Sequence, residues 1–376
     1  MSDVRVIKVQ TKKEMDAFIS LPRHLYKGNK KYVPDMDDDI RDFFNPKKNR
    51  DLPFAEVQPF IALKGNTVVG RIVGIISKKS NATWDKRVVR FTYIEFIDDI
   101  EVSRALLETV AQWGKSFGMD EIQGPMGITD FDKEGMLIED FDLEGCFMEF
   151  WNPPYYKDHM DQLGFTKSAD WLQIRFEVPN KIPARFQRVA DYSKQEFDVK
   201  VIKKTKKEIY GEYGQKLFSL LNTAYAPLYG FAPFSKEQAD DVLHKFLPIL
   251  NMDMQALVED SKGDLVGAAV TCRDFSDGLR KSRGKLFPFG WFHLLRAIMF
   301  GKQDKAQLMI IAVRPDMQGM GVNATMFAHL IPVFKKMNIK WCETNPQLDT
   351  NVRELSQWKP LNPKIVKRRR CWRKEI

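Results

Sequence analysis

Ile310-Ile311-Ala312-Val313-Arg314-Pro315-Asp316-Met317-Gln318-Gly319-Met320-Gly321-Val322-Asn323 is the stretch whose reading decides the fold. A β-branched run breaks at Pro315, passes through two glycines, and enters a helical pattern. A strand, a Gly-bearing turn and a helix N-terminus together form an anion cradle. Free backbone N–H groups converge there, and the helix dipole is positive there. Glycine lets the backbone approach an anion with no Cβ in the way. The bland alternative is an ordinary strand-to-helix turn; the strand before and the helix after favour the phosphate cradle.

Composition sets the frame around this turn. The 376 residues suit two domains with sizeable cores, and 44% hydrophobic content argues against disorder. Cys146, Cys272, Cys342 and Cys371 lie far apart and form no C-x-x-C pair, which suits a reducing cytosol. The histidines are scattered, so no metal site is expected. Met1-Ser2-Asp3-Val4-Arg5 has no secretory pattern, and no apolar run reaches the roughly 20 residues of a bilayer span. A cytoplasmic protein is the expectation. The net charge of +9 allows an anionic partner without choosing among CoA, nucleic acid and an anionic membrane.

The chain repeats its plan. Val4-Arg5-Val6-Ile7-Lys8 followed by Thr11-Lys12-Lys13-Glu14 returns as Val199-Lys200-Val201-Ile202 followed by Thr205-Lys206-Lys207-Glu208. Each reads as a strand running into a helix start. Phe60-Ile61-Ala62-Leu63 with Val68-Val69-Gly70 returns as Gln255-Ala256-Leu257-Val258 with Leu265-Val266-Gly267, two hairpins. Tyr93-Ile94-Glu95-Phe96-Ile97 pairs with Met309-Ile310-Ile311-Ala312-Val313, and a helix and strand follow in each copy. The order β-α-β-β-β-α-β therefore occurs twice, with a Pro-flanked linker at residues 179–183. The offset between copies grows from 197 residues at Gly70/Gly267 to 216 at Ile97/Val313 and 220 at Gly118/Asn338. The last gain falls at the Gly turn, where the first copy has only Asp98-Asp99-Ile100-Glu101. Acidic side chains repel a pyrophosphate, so the first copy is expected to lack the anion site.

The other gain centres on residues 281–302, with its boundaries placed at 281–305. Phe287, Phe289, Trp291, Phe292, Leu295, Ile298 and Phe300 are flanked by Lys281, Arg283, Lys285, Arg296 and Lys302. That composition suits a segment at a membrane interface or a lid over a lipid. An inserted helix packed on its own domain is the competing reading.

The Val313-x-Pro315 and Gln318-x-x-Gly321-x-Asn323 spacing resembles motif A of the GNAT superfamily, the CoA-dependent N-acyltransferases. Asn323 stands where that family has Gly or Ala. The resemblance implies an α/β fold of α+β type with a mixed sheet, as two tandem GNAT-like domains, 1–180 and 181–376. It also implies acyl-CoA or acetyl-CoA as a co-substrate, with no permanently bound cofactor. Ile311, Ala312 and Val313 would polarise the thioester carbonyl. Gln318, Gly319, Met320, Gly321, Val322 and Asn323 would hold the pyrophosphate.

Glu343-Thr344-Asn345-Pro346-Gln347-Leu348-Asp349-Thr350-Asn351 and the ending Lys367-Arg368-Arg369-Arg370-Cys371-Trp372 resemble one branch of that superfamily, the bacterial ceramide synthase-like proteins. Leu25-Tyr26, Val33-Pro34, Gly70-Arg71, Gly124-Pro125 and Asn152-Pro153-Pro154-Tyr155-Tyr156 fit it too. This implies a long-chain acyl donor and a sphingoid-type lipid amine, with peripheral contact at the inner membrane surface. Glu343 is the candidate for deprotonating or anchoring the ammonium; a solvated carboxylate, or an ion pair with Arg368 or Arg369, is the alternative. By the same resemblance Asn351 lies near the pantetheine. Seven residues on, many GNATs carry a thiolate-protonating Tyr, and this chain has Trp358, whose indole cannot serve as that acid. Tyr225, Tyr229, solvent or a different chemistry remain open. An aminoacyl-tRNA-dependent tandem GNAT enzyme and a non-catalytic acyl-CoA or lipid binder are the rival readings. The Gly turn argues against the first, so no nucleic acid partner is expected.

Three groups are discounted. Phe131, Phe141, Phe147 and Phe150 read as packing, and His329 as a helix-face residue. Asp35, Asp37, Asp38 and Asp39 read as a solvated cap. The basic run at residues 367–370 reads as an anion contact or as protection of an exposed edge.

Overall fold

The computed structural model describes residues 3–301 and 303–376. Met1 and Ser2, and Lys302 with its expected headgroup contact, lie outside the described residues. The chain forms two compact units, and the division is not linear. The first comprises residues 1–171, 275–296 and 367–376; the second comprises 172–274 and 297–366.

The strands in chain order are β1 (Val4–Lys8), β2 (Ala55–Lys64), β3 (Thr67–Ser77), β4 (Val88–Phe96), β5 (Glu121–Gly124), β6 (Met136–Glu139) and β7 (Thr166–Glu177). They continue as β8 (Lys200–Ile202), β9 (Gln255–Glu259), β10 (Leu265–Arg273), β11 (Lys305–Val313), β12 (Trp341–Thr344), β13 (Gln347–Leu348) and β14 (Lys364–Glu375). In the first unit β1, β2, β3 and β4 pair antiparallel in sequence, β4 pairs β5 parallel, and the end of β14 lies antiparallel against β5. In the second unit β8, β9, β10 and β11 repeat that antiparallel series, and β11 pairs β12 parallel. The end of β7 lies antiparallel against β12. The expected duplication is present, element for element.

The same local chemistry builds both copies. Thr11 and Glu14 form a capping box on the helix Lys12–Leu25, and Thr205 and Glu208 form one on Lys206–Glu208. The register of β3 on β4 shifts by one residue between Arg71 and Val73, and that of β10 on β11 between Val270 and Thr271. In the second case Ile310 faces Val270 and Leu308 faces Thr271, so Met309 is the extra residue of a bulge.

Gly70 and Gly267 share one function. A Cβ on Gly70 would run into Leu106 and Val102 of the helix Ile100–Lys115. A Cβ on Gly267 would run into Val322, the first residue of the helix Val322–Lys336. In each unit the helix after the bulged strand crosses the sheet over a glycine, which leaves it room. Gly70→Ala and Gly267→Ala are each expected to cost roughly 1–3 kcal/mol through overpacking. Urea unfolding of the two variants checks this; wild-type stability in both would show that the helices yield freely.

Around these elements lie separate cores. Phe60, Ile72, Phe91, Phe96, Leu106, Val110 and Trp372 fill one face of the first sheet, with Phe18, Ile61, Val73 and Ile75 on the other. Phe176, Ala269, Leu308, Phe327, Leu330, Phe334 and Trp358 fill the second unit. All four cysteines are buried free thiols. Among the described residues no helix is long and apolar enough to cross a membrane.

Candidate active site

In the second unit the parallel ladder of β11 and β12 runs from Lys305/Trp341 to Leu308/Thr344 and stops. Asn345 marks the stop: its N–H donates to the Leu308 carbonyl at 3.0 Å, and its Nδ2 to the Met309 carbonyl at 2.7 Å. Beyond the bulge, Ile310 to Val313 keep only β10 as a ladder partner among the described residues. On the β12-facing side of β11 the Ile311 and Val313 N–H groups have no ladder partner among the described residues, while the Ile311 and Val313 carbonyls already accept from Tyr225 and Gln318. Tyr225, at the end of the helix Gly214–Tyr225, donates its hydroxyl to the Ile311 carbonyl at 3.0 Å.

At the far end of β11 the Gly turn is braced from one side. The Arg314 guanidinium holds Asp316 at 2.7 Å and Asp260 at 3.3 Å, and the Arg314 backbone N–H donates to the Val266 carbonyl. Residues Pro315–Met317 form a single 3-10 turn, and Gln318 Nε2 bonds back to the Val313 carbonyl at 3.3 Å. Gly319 and Gly321 both sit at φ +84°, a left-handed backbone that glycine adopts without strain. The first bond of the helix Val322–Lys336 runs from Thr325 N to Gly321 O, so the amides of Val322, Asn323 and Ala324 precede the ladder. This helix has no side-chain cap and no acidic residue in its first turn. Open amides, a positive dipole end and no resident carboxylate are the features with which a helix start could hold an anion.

The two glycines differ in their surroundings. At Gly319 the place a Cβ would take has nothing within 4 Å of it, whereas a Cβ on Gly321 would stand 2.9 Å from the Val189 carbonyl oxygen. Gly321 thus also permits the helix Ala184–Phe197 to pack against the turn.

The first unit closes the corresponding features with its own side chains. Asp99 caps the helix Ile100–Lys115, accepting from Glu101 N at 3.0 Å, and pairs with Lys64. The N–H and carbonyl of Phe96, at the end of β4, are taken by the hydroxyls of Tyr156 (2.8 Å) and Tyr155 (2.6 Å). Tyr156 stacks on the Phe96 ring at 4.0 Å, and His159 bonds Asp98 at 3.1 Å. An anion and an extended ligand would both have to displace protein groups here.

Each of the other expected site residues sits on a segment of its own. Glu343 is fully buried within the β11–β12 ladder, facing Gln307 on one side and Arg175 on the other. Its carboxylate accepts from Arg175 Nε at 3.1 Å and Nη2 at 2.8 Å, with Lys305 Nζ 3.8 Å away. The ion-pair alternative thus describes this carboxylate, with Arg175 as the partner in place of Arg368 or Arg369. Asn351 Oδ1 accepts from Glu354 N and caps the helix Val352–Ser356. Trp358 is a core residue stacked on Phe176 at 5.6 Å, its indole N–H on Gln347 Oε1. Tyr229 is half-buried in the loop after the Tyr225 helix. Sequence reasoning missed Asn345 at the strand opening and the Asp260–Arg314 brace, for which no local motif exists.

The basic run also reads differently in place. Along β14, Lys367 and Arg369 point to the buried Glu149, at 2.6 and 2.7 Å, while Arg370 binds Asp170 and Arg368 binds Glu139. The strand is paired with β5 and β6, so these cations guard no open edge.

A bulged strand, a parting parallel pair and a Gly turn into an uncapped helix, all within a duplicated β-α-β-β-β-α-β plan, define the fold of the GNAT acyltransferases in tandem. The structure aligns over 99% of this chain and 98% of the other with a tandem GNAT protein from the clavulanic acid biosynthesis pathway, at TM-score 0.57 and 12% identity. A GCN5-related N-acetyltransferase from Sphaerobacter thermophilus aligns at TM-score 0.52 and 10% identity, over 100% of this chain and 96% of that one. In sequence, the chain is 25% identical over 372 residues to Protein YghO of Escherichia coli, covering 97% of this chain and 94% of that one. It is 25% identical over 320 residues to a Caulobacter vibrioides protein named bacterial ceramide synthase, covering 84% and 82%. No protein-family model matches the chain.

Proposed function

We propose that this chain is an N-acyltransferase that uses acyl-CoA and carries its CoA site in the second unit. One observation carries the reading: the uncapped, acid-free helix start at Gly321 follows directly on the strand whose edge opens at Asn345. The pyrophosphate would lie on the amides at residues 319–323, and the pantetheine amides along the β12-facing edge of β11. An amine then attacks the thioester carbonyl, forming the C–N bond. The C–S bond breaks, and the departing thiolate takes a proton.

Tyr225 is the phenol set against β11, and it replaces Tyr229 as the first candidate for delivering that proton. Similarity to the protein named bacterial ceramide synthase supports a long-chain acyl group and a sphingoid-type amine as the substrates. The test is release of free CoA by the purified chain, across acyl lengths, with and without a sphingoid amine. Amine-independent release, or none at any length, would remove the reading.

Glu343 enters as the anion holding Arg175 in the ladder beneath the opening, while Lys305 pairs at 2.8 Å with Asp274. Glu343→Gln would leave Arg175 short of its counter-charge, and an expected loss of roughly 3 kcal/mol in unfolding free energy follows. Turnover per folded molecule should change little. Unaltered stability with turnover lowered more than about tenfold would instead make Glu343 the base acting on the amine.

A further inference from the structure

The segment at residues 275–296 is counted with the first unit and is tied down at its start. Phe275 stacks on Phe147 at 4.2 Å, and Arg280 Nη2 donates to the Gly145 carbonyl at 2.9 Å. The Gly284 carbonyl accepts from Asp37 N at 2.7 Å. From this footing the chain turns outward. Phe287 is 77% exposed, Phe289 70%, and Trp291 and Phe292 47% each.

The turn is itself ordered: Trp291 N bonds the Leu286 carbonyl and Trp291 Nε1 the Pro288 carbonyl. The helix Gly290–Phe300 is apolar on both sides. His293, Leu294, Ala297 and Ile298 lie half-buried on one side, while Trp291, Leu295 and Met299 stand exposed at i, i+4 and i+8 on the other. Helices apolar all round belong in a protein interior or in lipid, and this one has its outer side in neither.

We infer that Phe287, Phe289, Trp291, Phe292 and Leu295 form a docking surface for an anionic lipid bilayer, into whose interface the two-sided helix lies without crossing. Charge selects this occupant. Lys281, Arg283, Lys285 and Arg296 are all exposed, and residues 281–301 contain no Asp or Glu. A second copy seated on the same surface by two-fold symmetry would bring these like charges together. A layer of phosphate headgroups over an apolar interior matches the cations and the aromatics at once. This inference rests on the surface alone and stands or falls separately from acyl transfer.

The test is co-sedimentation of the full chain with vesicles of phosphatidylglycerol and phosphatidylcholine, against phosphatidylcholine alone, at low and high salt. The expected result is binding to the anionic vesicles that weakens with salt. Replacing Phe287, Phe289 and Phe292 together with Ser should lower partitioning at least about tenfold with an unchanged melting temperature. A second variant, Lys281→Glu with Arg283→Glu and Lys285→Glu, should lose the preference for phosphatidylglycerol. It keeps the test decisive if the Ser variant unfolds.

Three outcomes would overturn the inference. One is a wild-type chain that stays in the supernatant with both lipids. Another is undiminished binding by both variants. The third is a concentration-dependent dimer that the Ser variant disperses in the absence of any vesicle binding.

Discussion

Gly319→Asp is expected to weaken CoA binding at least about tenfold, while Gly319→Asn leaves it within about threefold. Both side chains find open space at this position, and both tolerate its left-handed backbone better than most residues do. The two variants therefore share a backbone cost and differ by one charge. A carboxylate roughly 5 Å from a pyrophosphate costs on the order of 1.5–3 kcal/mol at the effective dielectric of a protein surface, a factor of about ten or more in affinity. Calorimetric titration with CoA reads the difference. Equal affinities in the two variants would place the pyrophosphate elsewhere. Gly321 is less suited to this purpose, because any Cβ there also collides with the Val189 backbone.

The second large effect lies in the first unit. Glu149 is fully buried, with Lys367 Nζ on one carboxylate oxygen and Arg369 Nη2 on the other, and the Cys146 N–H adds a bond at 2.8 Å. Glu149→Gln would leave two buried cations facing a neutral amide. The expected loss is roughly 3–5 kcal/mol, a large share of a typical folding free energy. Burial by itself would raise this carboxyl's pKa; Arg369 and Lys367 outweigh burial and hold it at about 2.

A lowered carboxyl pKa stabilises the fold above the unfolded value of about 4.3, and that contribution fades as pH falls toward the folded value. Urea midpoints of the wild type should therefore drop between about pH 4 and pH 2, and the Gln variant should lack that component. A Gln variant as stable as the wild type at neutral pH would show that the cations escape to water.

How far the residues alone disclose this arrangement depends on the range of each interaction. The cradle is readable because strand, turn and helix are adjacent in sequence, and because Gly319 and Gly321 need backbone angles that other residues avoid. The duplication is readable because Thr11/Thr205 and Gly70/Gly267 repeat a local requirement, a cap in one case and a close helix crossing in the other. The surroundings of Glu343 are not readable, because its partner Arg175 lies 168 positions away and no pattern announces the pairing. The run at residues 367–370 looks like one basic patch. On a strand, alternate side chains face opposite ways, and the acids that claim them, Glu139, Glu149 and Asp170, come from three distant segments. Asn351 and Trp358 fit a family spacing, yet local capping and core stacking take up both side chains. The exposure of residues 287–300 depends on what covers a helix, and composition does not record that.

The contrast between the two helix starts bears on how each half responds to its surroundings. Asp99 supplies the first-unit helix with a permanent internal counter-ion. The helix at Gly321 has none of its own. On the proposed reading, each tenfold rise in free CoA above its dissociation constant adds about 1.4 kcal/mol to the second unit. The first unit gains nothing from the same rise. The chain would then behave as a gauge of the cellular acyl-CoA pool. When that pool is depleted, the second unit would be the part to lose its added stability, and the first would not.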